Sequence, residues 1–201
     1  MNKQLERIKK CQKCGLCCNQ EPLLEDCTNC EVLWVGLSAK KATFDGETPL
    51  SAQTNSGSVI RDIEELMGGV KTYKTNLVKC LPLNEKQKLR YPNREEIENC
   101  FSNLQSEIQE LSPKIVFLLG EKVYSSVAKH YNLHFDKFEE FEYQYVRHED
   151  TYFVPVHHPS YVYVYKRKRL DEYQKKIYEI TMELLKEFYG DINRMMLYDE
   201  E

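Results

Sequence analysis

No stretch of this 201-residue sequence approaches the roughly 20 consecutive apolar residues that cross a bilayer, so no membrane span is expected. Internal repeats and low-complexity segments are also missing. The opening Met1–Lys10 carries charge but has neither the apolar core nor the small-residue cleavage site of a secretory leader, and a cytoplasmic protein is expected. Cations are in short supply: 28 Lys and Arg face 32 Asp and Glu, for a formal net charge of −4. Such a surface does not coat nucleic acid by bulk electrostatics, which leaves a local basic face for any contact with phosphates. The length suits one α/β domain with a real core and is short for two. A single monomeric domain is expected over residues 1–190, with a metal-binding segment at 11–30 and a fraying tail at 191–201.

What the chain does have is eight cysteines. In a reducing compartment these favour metal ligation over a disulfide framework. Cys11-x-x-Cys14 near the start, then Cys80 and Cys100, place a thiolate pair and two distant singles where a four-coordinate iron-sulfur or zinc site would tie a chain end to a core. Cys17, Cys18, Cys27 and Cys30 could close a separate zinc site. Two alternatives stay open: the first site could use Cys14-x-x-Cys17 or Cys27-x-x-Cys30 instead, or some of these thiols could simply be buried and free.

Glu31–Val35 reads as a short buried strand closing at Gly36, followed by a long polar segment to about Gly57, a length that usually serves function in a compact domain. Val59, Ile63, Leu66 and Met67 recur at helical spacing over Ser58–Met67, and Gly68-Gly69 is the stop. Tyr73–Val78 is a second strand leading into Cys80. Asn93 is placed to cap the next helix with Glu96 reciprocating, and Ile97, Cys100, Leu104, Ile108 and Leu111 share its inward face. Ile115–Leu119 is a continuous apolar run of the kind buried on both faces of a parallel sheet. A helix from Glu121 to about Tyr131, two extended segments over Tyr143–Val156 turning near Glu149-Asp150, and a last helix over roughly Lys168–Tyr189 complete the pattern. Strands alternating with helices predict an α/β fold, a three-layer α/β/α sandwich with a central parallel sheet. Ligands of such sheets bind beyond the carboxyl ends of the strands. Gly36, Asn76 and His158 each end or follow a strand, so the three can converge on one crevice.

A local basic segment does exist. Tyr161-Val162-Tyr163-Val164-Tyr165 leads as a strand or loop into Lys166-Arg167-Lys168-Arg169 directly after His157-His158-Pro159-Ser160. Charge runs usually mark a solvated face, but this position nominates Tyr161, Lys166 and Arg167 for contact with DNA.

Taken together, Cys11-x-x-Cys14, Thr75-Asn76-Leu77-Val78-Lys79-Cys80-Leu81-Pro82, Cys100 and His158-Pro159-Ser160 resemble the iron-sulfur, family 4-like branch of the uracil-DNA glycosylase superfamily, in the right order from Cys11 to Arg167. The segment Ser112-Pro113-Lys114-Ile115-Val116 before Leu119-Gly120 is similar to that family's strand in the same place. The resemblance implies a structural 4Fe-4S cluster on Cys11, Cys14, Cys80 and Cys100, a base-reading asparagine at Asn76 and a catalytic histidine at His158. It implies excision of uracil or a modified pyrimidine from single- or double-stranded DNA, as in base-excision repair. Gly36, Leu37, Ser38, Leu50, Asn76 and Ser160 would then border the base. The chemistry agrees: a flipped base must be read along its Watson-Crick edge, and a carboxamide offers both a donor and an acceptor for uracil N3–H and O4. A donor at base O2 stabilises charge where it develops as the glycosidic bond breaks.

Two departures stand out. Where the family has a Gly-Glu-x-Pro-Gly type motif, this chain has Gly36-Leu37-Ser38-Ala39-Lys40, and the carboxylate is missing; another branch of the superfamily also has leucine after this glycine. Where the family stacks a phenylalanine on the base, Gly46-Glu47-Thr48-Pro49-Leu50 places a leucine. Asp45, Glu47 and Asp62 are candidates for the missing acid, although solvated carboxylates are the expectation for each. The departures keep two rivals in view: a non-catalytic nucleic-acid- or partner-binding module that retains fold and metal, and a hydrolase of free nucleosides.

Overall fold

The segment around Trp34 is apolar at every position from Val32 to Val35, and such a run is stable only where both faces and both edges are covered. In the computed structural model, which describes residues 3–136 and 139–198, that segment is the centre of the sheet. Strand β1 (Val32–Ser38) lies between β2 (Thr72–Val78) and β3 (Ile115–Leu119) and is parallel to both. β5 (Thr151–Val156) extends the parallel set beside β3, and β4 (Val146–His148) closes the edge antiparallel to β5, giving the five-stranded order β2-β1-β3-β5-β4. The expected parallel sheet is therefore mixed at one edge. Its two extended segments form a hairpin through Glu149, which adopts a left-handed φ of 53°, and a hairpin can only pair antiparallel.

Strand alternation sorts the core into two faces. Val32, Trp34, Ile115, Phe117, Tyr152 and Val154 face helices α2 (Asn55–Met67), α5 (Pro159–Tyr165) and α6 (Leu170–Tyr198), with the rings of Trp34 and Phe117 stacked at 4.6 Å. Leu33, Val35, Tyr73, Leu77, Val116, Leu118 and Phe153 face α3 (Arg94–Leu111) and α4 (Glu121–Tyr131). The result is the three-layer α/β/α sandwich. A short helix α1 (Lys3–Lys9) packs on α3. Among the described residues no helix is long and apolar enough to cross a membrane.

Element starts follow local chemistry. Asn93 accepts from Glu96 N–H while the Glu96 carboxylate accepts from Asn93 N–H, the reciprocal cap that the spacing predicts for α3. α2 begins three residues earlier than its apolar spacing suggests, because the Thr54 hydroxyl accepts from Gly57 N–H. β1 runs through Gly36 to Ser38 instead of stopping at Gly36, since Gly36 and Ser38 still pair with Asn76 and Val78. The Tyr161–Tyr165 segment is helical, not extended: His158 is its N-cap and Pro159 occupies the first turn, where a missing N–H does no harm. A 3-10 turn at Arg167–Arg169 precedes α6, whose backbone is helical to Tyr198, through most of the segment expected to fray; residues 199–201 lie outside the described residues.

Candidate active site and metal centre

The carboxyl ends of β1, β2, β3 and β5 open onto a cavity of about 1020 Å³. Gly36, Leu37 and Ser38 from β1, Leu50 from the loop between β1 and α2, Asn76 from β2, and His158, Ser160 and Tyr161 after β5 all line it. Asn76 is 5% exposed, and among the described residues its carboxamide has no hydrogen-bond partner. Its amide atoms are not among the buried unpartnered ones: they face the cavity and stay in contact with solvent there, open to a ligand. Gly36 sits opposite it in register, and a Cβ there would lie 2.5 Å from Asn76 Oδ1. Gly36 therefore leaves the room in which Asn76 keeps its orientation. Gly36→Ala is expected to displace the amide and lower ligand affinity or turnover by at least about tenfold, with the urea midpoint changed far less than the function. Parallel binding and denaturation measurements check this.

His158 faces the same cavity with a defined proton. Its Nδ1 accepts from Ser160 N–H at 3.3 Å and lies 2.8 Å from Ser160 Oγ, so the neutral ring carries its hydrogen on Nε2. Burial pushes its pKa below the ordinary 6.5. Gly120, at φ +89°, packs against the imidazole: a Cβ there would come within 3.3 Å of His158 Cβ. His157 behind it shifts in the same direction by burial, with its Nδ1 2.9 Å from Tyr143 Oη. Neutral rings favoured by the fold contribute stability that is full above pH 6.5 and is lost as pH falls from there through the folded values. Unfolding free energy is thus expected to drop on acidification below 6.5, by at most about 1.4 kcal/mol per pH unit for each ring. The slope should flatten in a His157→Gln/His158→Gln variant measured by urea denaturation at several pH values.

Leu50 occupies the left-handed region at φ 51°, unusual for a branched apolar residue, and its Cδ2 lies 3.4 Å from the position of a Gly36 Cβ. The loop is pressed onto α2 at Gly57, where any Cβ would overlap the carbonyl oxygens of Leu50 and Ser51. This contact sets a leucine on the cavity wall. None of the three proposed replacement acids lines the cavity. Glu47 is not solvated as expected: it is 3% exposed, paired with Lys40 at 2.5 Å and accepting from Thr43 N–H and Oγ1–H, contacts that hold its carboxyl below the usual range. It latches the loop from inside. Asp62 pairs with Arg61 and accepts from Gln174, and Asp45 is exposed. The carboxylate that does border the cavity is Glu121, beside Lys122, with Lys40 and Arg90 also on the rim; only their shared position at the carboxyl end of β3 and on adjoining loops could have indicated them. Of the three nominated DNA contacts, Tyr161 lines the cavity, whereas Lys166 is paired with Glu140 at 2.8 Å and Arg167 lies over the Tyr163 ring at 4.7 Å.

A second, smaller cavity lies where α1 and the 3-10 turn at Gly15–Cys18 meet the end of β2 and α3. Cys11, Cys14, Cys17, Cys80 and Cys100 line it. The Asn103 amide donates to Cys11 Sγ and Cys100 Sγ at 3.7 and 3.6 Å, and Lys79 N–H donates to Cys100 Sγ at 3.4 Å. Burial, then the neighbouring thiols of Cys100, Cys14 and Cys11, push Cys80 up to about 12. Crowded thiolates that accept amide N–H bonds suit a cationic iron-sulfur centre, which offsets their mutual repulsion. Among the described residues no three Cys, His, Asp or Glu side chains stand ready for a single ion. One tetrahedral zinc, with sulfur bonds of about 2.3 Å, would gather its thiolates within roughly 4 Å of each other, whereas a cluster spreads them.

The separate zinc site is a correction. Cys17 lines the cysteine cavity and Cys18 is exposed, while Cys30 is buried in the core between the sheet and α3 with Cys27 half-buried against it, so the four do not meet. Cys30 is buried there and pushed up to about 12 by burial. The bland reading of a buried free thiol describes it.

Between the two cavities runs a buried ionic network. Lys79, 1% exposed, donates to Thr75 Oγ1 at 2.6 Å and pairs closely with Glu107 of α3. Glu107 also accepts from Tyr73 Oη and Thr75 Oγ1 at 3.1 and 3.0 Å. Residues 73, 75, 77 and 79 share one side of the extended chain, so within Thr75–Cys80 the threonine and lysine serve the α3 face and Asn76 serves the cavity.

Comparison with known proteins adds to the geometry. Residues 26–181 match the family described as the uracil DNA glycosylase superfamily. The chain is 29% identical over 132 residues to a type-4 uracil-DNA glycosylase of Saccharolobus solfataricus, covering 64% of this chain and 59% of that protein. It therefore spans about three fifths of that relative's length. Among solved structures it is similar in fold to SMUG2 of Pedobacter heparinus, with a TM-score of 0.53 at 15% identity, covering 78% of this chain and 76% of the other.

Proposed function

Because the chain belongs to the uracil DNA glycosylase superfamily, we propose that it hydrolyses the N-glycosidic bond of uracil or a modified pyrimidine in DNA. The observation that carries this reading is the pair Asn76 and His158, an amide open to the cavity with no protein partner among the described residues and a neutral imidazole with Nε2–H, on one cavity at the strand ends. The proposal includes a monomer acting in the cytoplasm on a nucleotide flipped out of the stack.

In this reading Asn76 holds the base by its Watson-Crick edge, donating to O4 and accepting from N3–H. As the bond between C1′ and N1 breaks, its electron pair passes into the base, and negative charge grows on O2. His158 Nε2–H donates to that oxygen and Ser160 keeps the ring in the right tautomer. Water adds to the electron-poor C1′ and loses a proton to solvent. A strongly dissociative reaction asks little of a base, which accommodates a wall with Leu37 in place of a carboxylate. Cys11, Cys14, Cys80 and Cys100 would hold a 4Fe-4S cluster. When bound, such a cluster supplies a structural clamp joining the N-terminal segment to β2 and α3. Asn103 and the Lys79 N–H would then stabilise the ligating Cys11 and Cys100 sulfurs.

Leu50 on the cavity wall favours a second reading, a binding module that has given up catalysis, since stacking on an aromatic is worth on the order of 1–3 kcal/mol per base. Incubation of anaerobically purified protein with oligonucleotides containing uracil or modified pyrimidines, then alkaline cleavage of abasic sites, separates the two. Release of a base, strongly slowed in His158→Ala, supports the glycosylase. No release from any substrate by folded, iron-loaded protein leaves the binding module.

A further inference from the structure

Among the described residues ten large hydrophobic side chains are exposed, and five of them, Leu89, Tyr91, Tyr161, Val164 and Tyr165, line the mouth of the Asn76–His158 cavity. They come from two sides. Leu89 and Tyr91 belong to a turn, residues 83–91, that is rigidly built: the Asn84 side chain accepts from Lys86 N–H and Lys88 N–H, Arg90 N–H donates to Pro82 O, and the Arg90 guanidinium holds Leu83 O, Tyr91 O and both oxygens of Glu96. Tyr91 is nonetheless 71% exposed, with Lys122 Nζ over its ring at 5.0 Å. Across the mouth, the rings of His157, Tyr161 and Tyr165 form a stair with centroid spacings of 5.9 and 5.5 Å. The stair starts at the partly buried His157 and ends at Tyr165, 73% exposed, with nothing stacked beyond it among the described residues.

Aromatic rings held out to solvent from two segments at the mouth of one cavity, with cations on its rim, have the chemistry of a platform for unpaired nucleotides, whose bases offer a π-face regardless of sequence. The lysine, arginine and carboxylate side chains bordering the cavity are Lys40, Arg90 and Lys122 against Glu121, in a chain of formal net charge −4. Lys40 and Arg90 are steadied by Glu47 and Glu96, and Lys122 lies directly beside Tyr91. In a duplex the bases flanking a flipped nucleotide stay paired and stacked, so they do not reach rings on opposite rims. In a single strand they do.

We infer that the substrate strand is unpaired DNA, and that bases flanking the flipped nucleotide stack on Tyr91 on one rim and Tyr165 on the other. This rests on the glycosylase reading for the base in the cavity, but the platforms are testable without catalysis. Fluorescence anisotropy with a labelled single strand of normal sequence, and with a hairpin duplex of the same bases, reads binding alone. The single strand should bind at least about tenfold tighter, and Tyr91→Ala and Tyr165→Ala should each weaken it on the order of tenfold. Tyr165→Phe should retain affinity, since the ring remains, and duplex binding should not change. Equal or tighter binding of the duplex, or alanine variants that bind the single strand as well as the parent, overturns the inference. If single strands bind as stated but no base is released, the platforms stand and the glycosylase reading falls. If uracil is released equally from both forms and the tyrosine variants act normally, the platforms fall and the glycosylase reading stands.

Discussion

Replacing His158 with alanine is expected to slow base excision by about 100- to 1000-fold, the usual effect of removing one donor aimed at developing charge. The basis is the single hydrogen that Ser160 leaves on Nε2, in a ring that burial keeps neutral. His158→Gln preserves a donor amide but lacks the backing of Ser160 N–H on Nδ1, and is expected to fall between the two. Asn76→Asp is the companion variant. It replaces the donor toward O4 with an acceptor in a site where Asn76 has no protein partner among the described residues, so capture of uracil should fail while the fold persists. Single-turnover excision on uracil-containing oligonucleotides measures both. Parent-like rates in either variant would remove Asn76 and His158 from the chemistry.

The second large effect concerns stability. Lys79→Met strands Glu107, 1% exposed, without its cation, and removal of one partner from a buried ion pair costs about 3–5 kcal/mol. Tyr73 and Thr75 continue to donate to Glu107 and soften the loss without cancelling it. The double variant Lys79→Met/Glu107→Leu removes both charges and should recover much of the deficit, because neither side chain is then left desolvated and unpaired. Urea denaturation of the single and double variants measures the coupling directly. The same variants report on the cysteine centre, since the Lys79 backbone N–H that donates to Cys100 Sγ survives both changes. Iron content should therefore follow folding and not the identity of residue 79.

The parts of this protein that could be read from sequence are those set by short-range chemistry. The α3 cap at Asn93 and Glu96 needs only three residues of spacing, and the apolar runs at β1 and β3 declare strands covered on both faces. The meeting of Gly36, Asn76 and His158 followed from strand order, because parallel strands deliver their carboxyl ends to one side of a sheet. What escaped depends on partners far away in the chain. The burial of Glu47 is decided by Lys40 and by a loop that Gln20 anchors through Lys40 O and Ala42 N–H. The Lys79–Glu107 pair was present in the alternation of residues 73 to 79, but its partner lies 28 positions on. Alternating tyrosine and valine at residues 161–165 suggested an extended chain, and the proline after His158 decided for a helix. The spacing of Cys27 and Cys30 suggested a metal, whereas the fold buries Cys30 in the core between the sheet and α3, with Cys27 half-buried against it, apart from Cys17 and Cys18.

The central place of β1 also shapes how the chain must be made. Val32–Val35 leaves the ribosome before either of its neighbours, since its two edges are satisfied by Thr72–Val78 and Ile115–Leu119. Until residue 119 is available, a strongly apolar strand with at least one open edge waits in the nascent chain, the kind of segment that pairs with other molecules when it is exposed. Nascent polypeptides arrested between residues 80 and 110 should accordingly depend on a holding chaperone, and lengthening the chain past β3 should release that dependence.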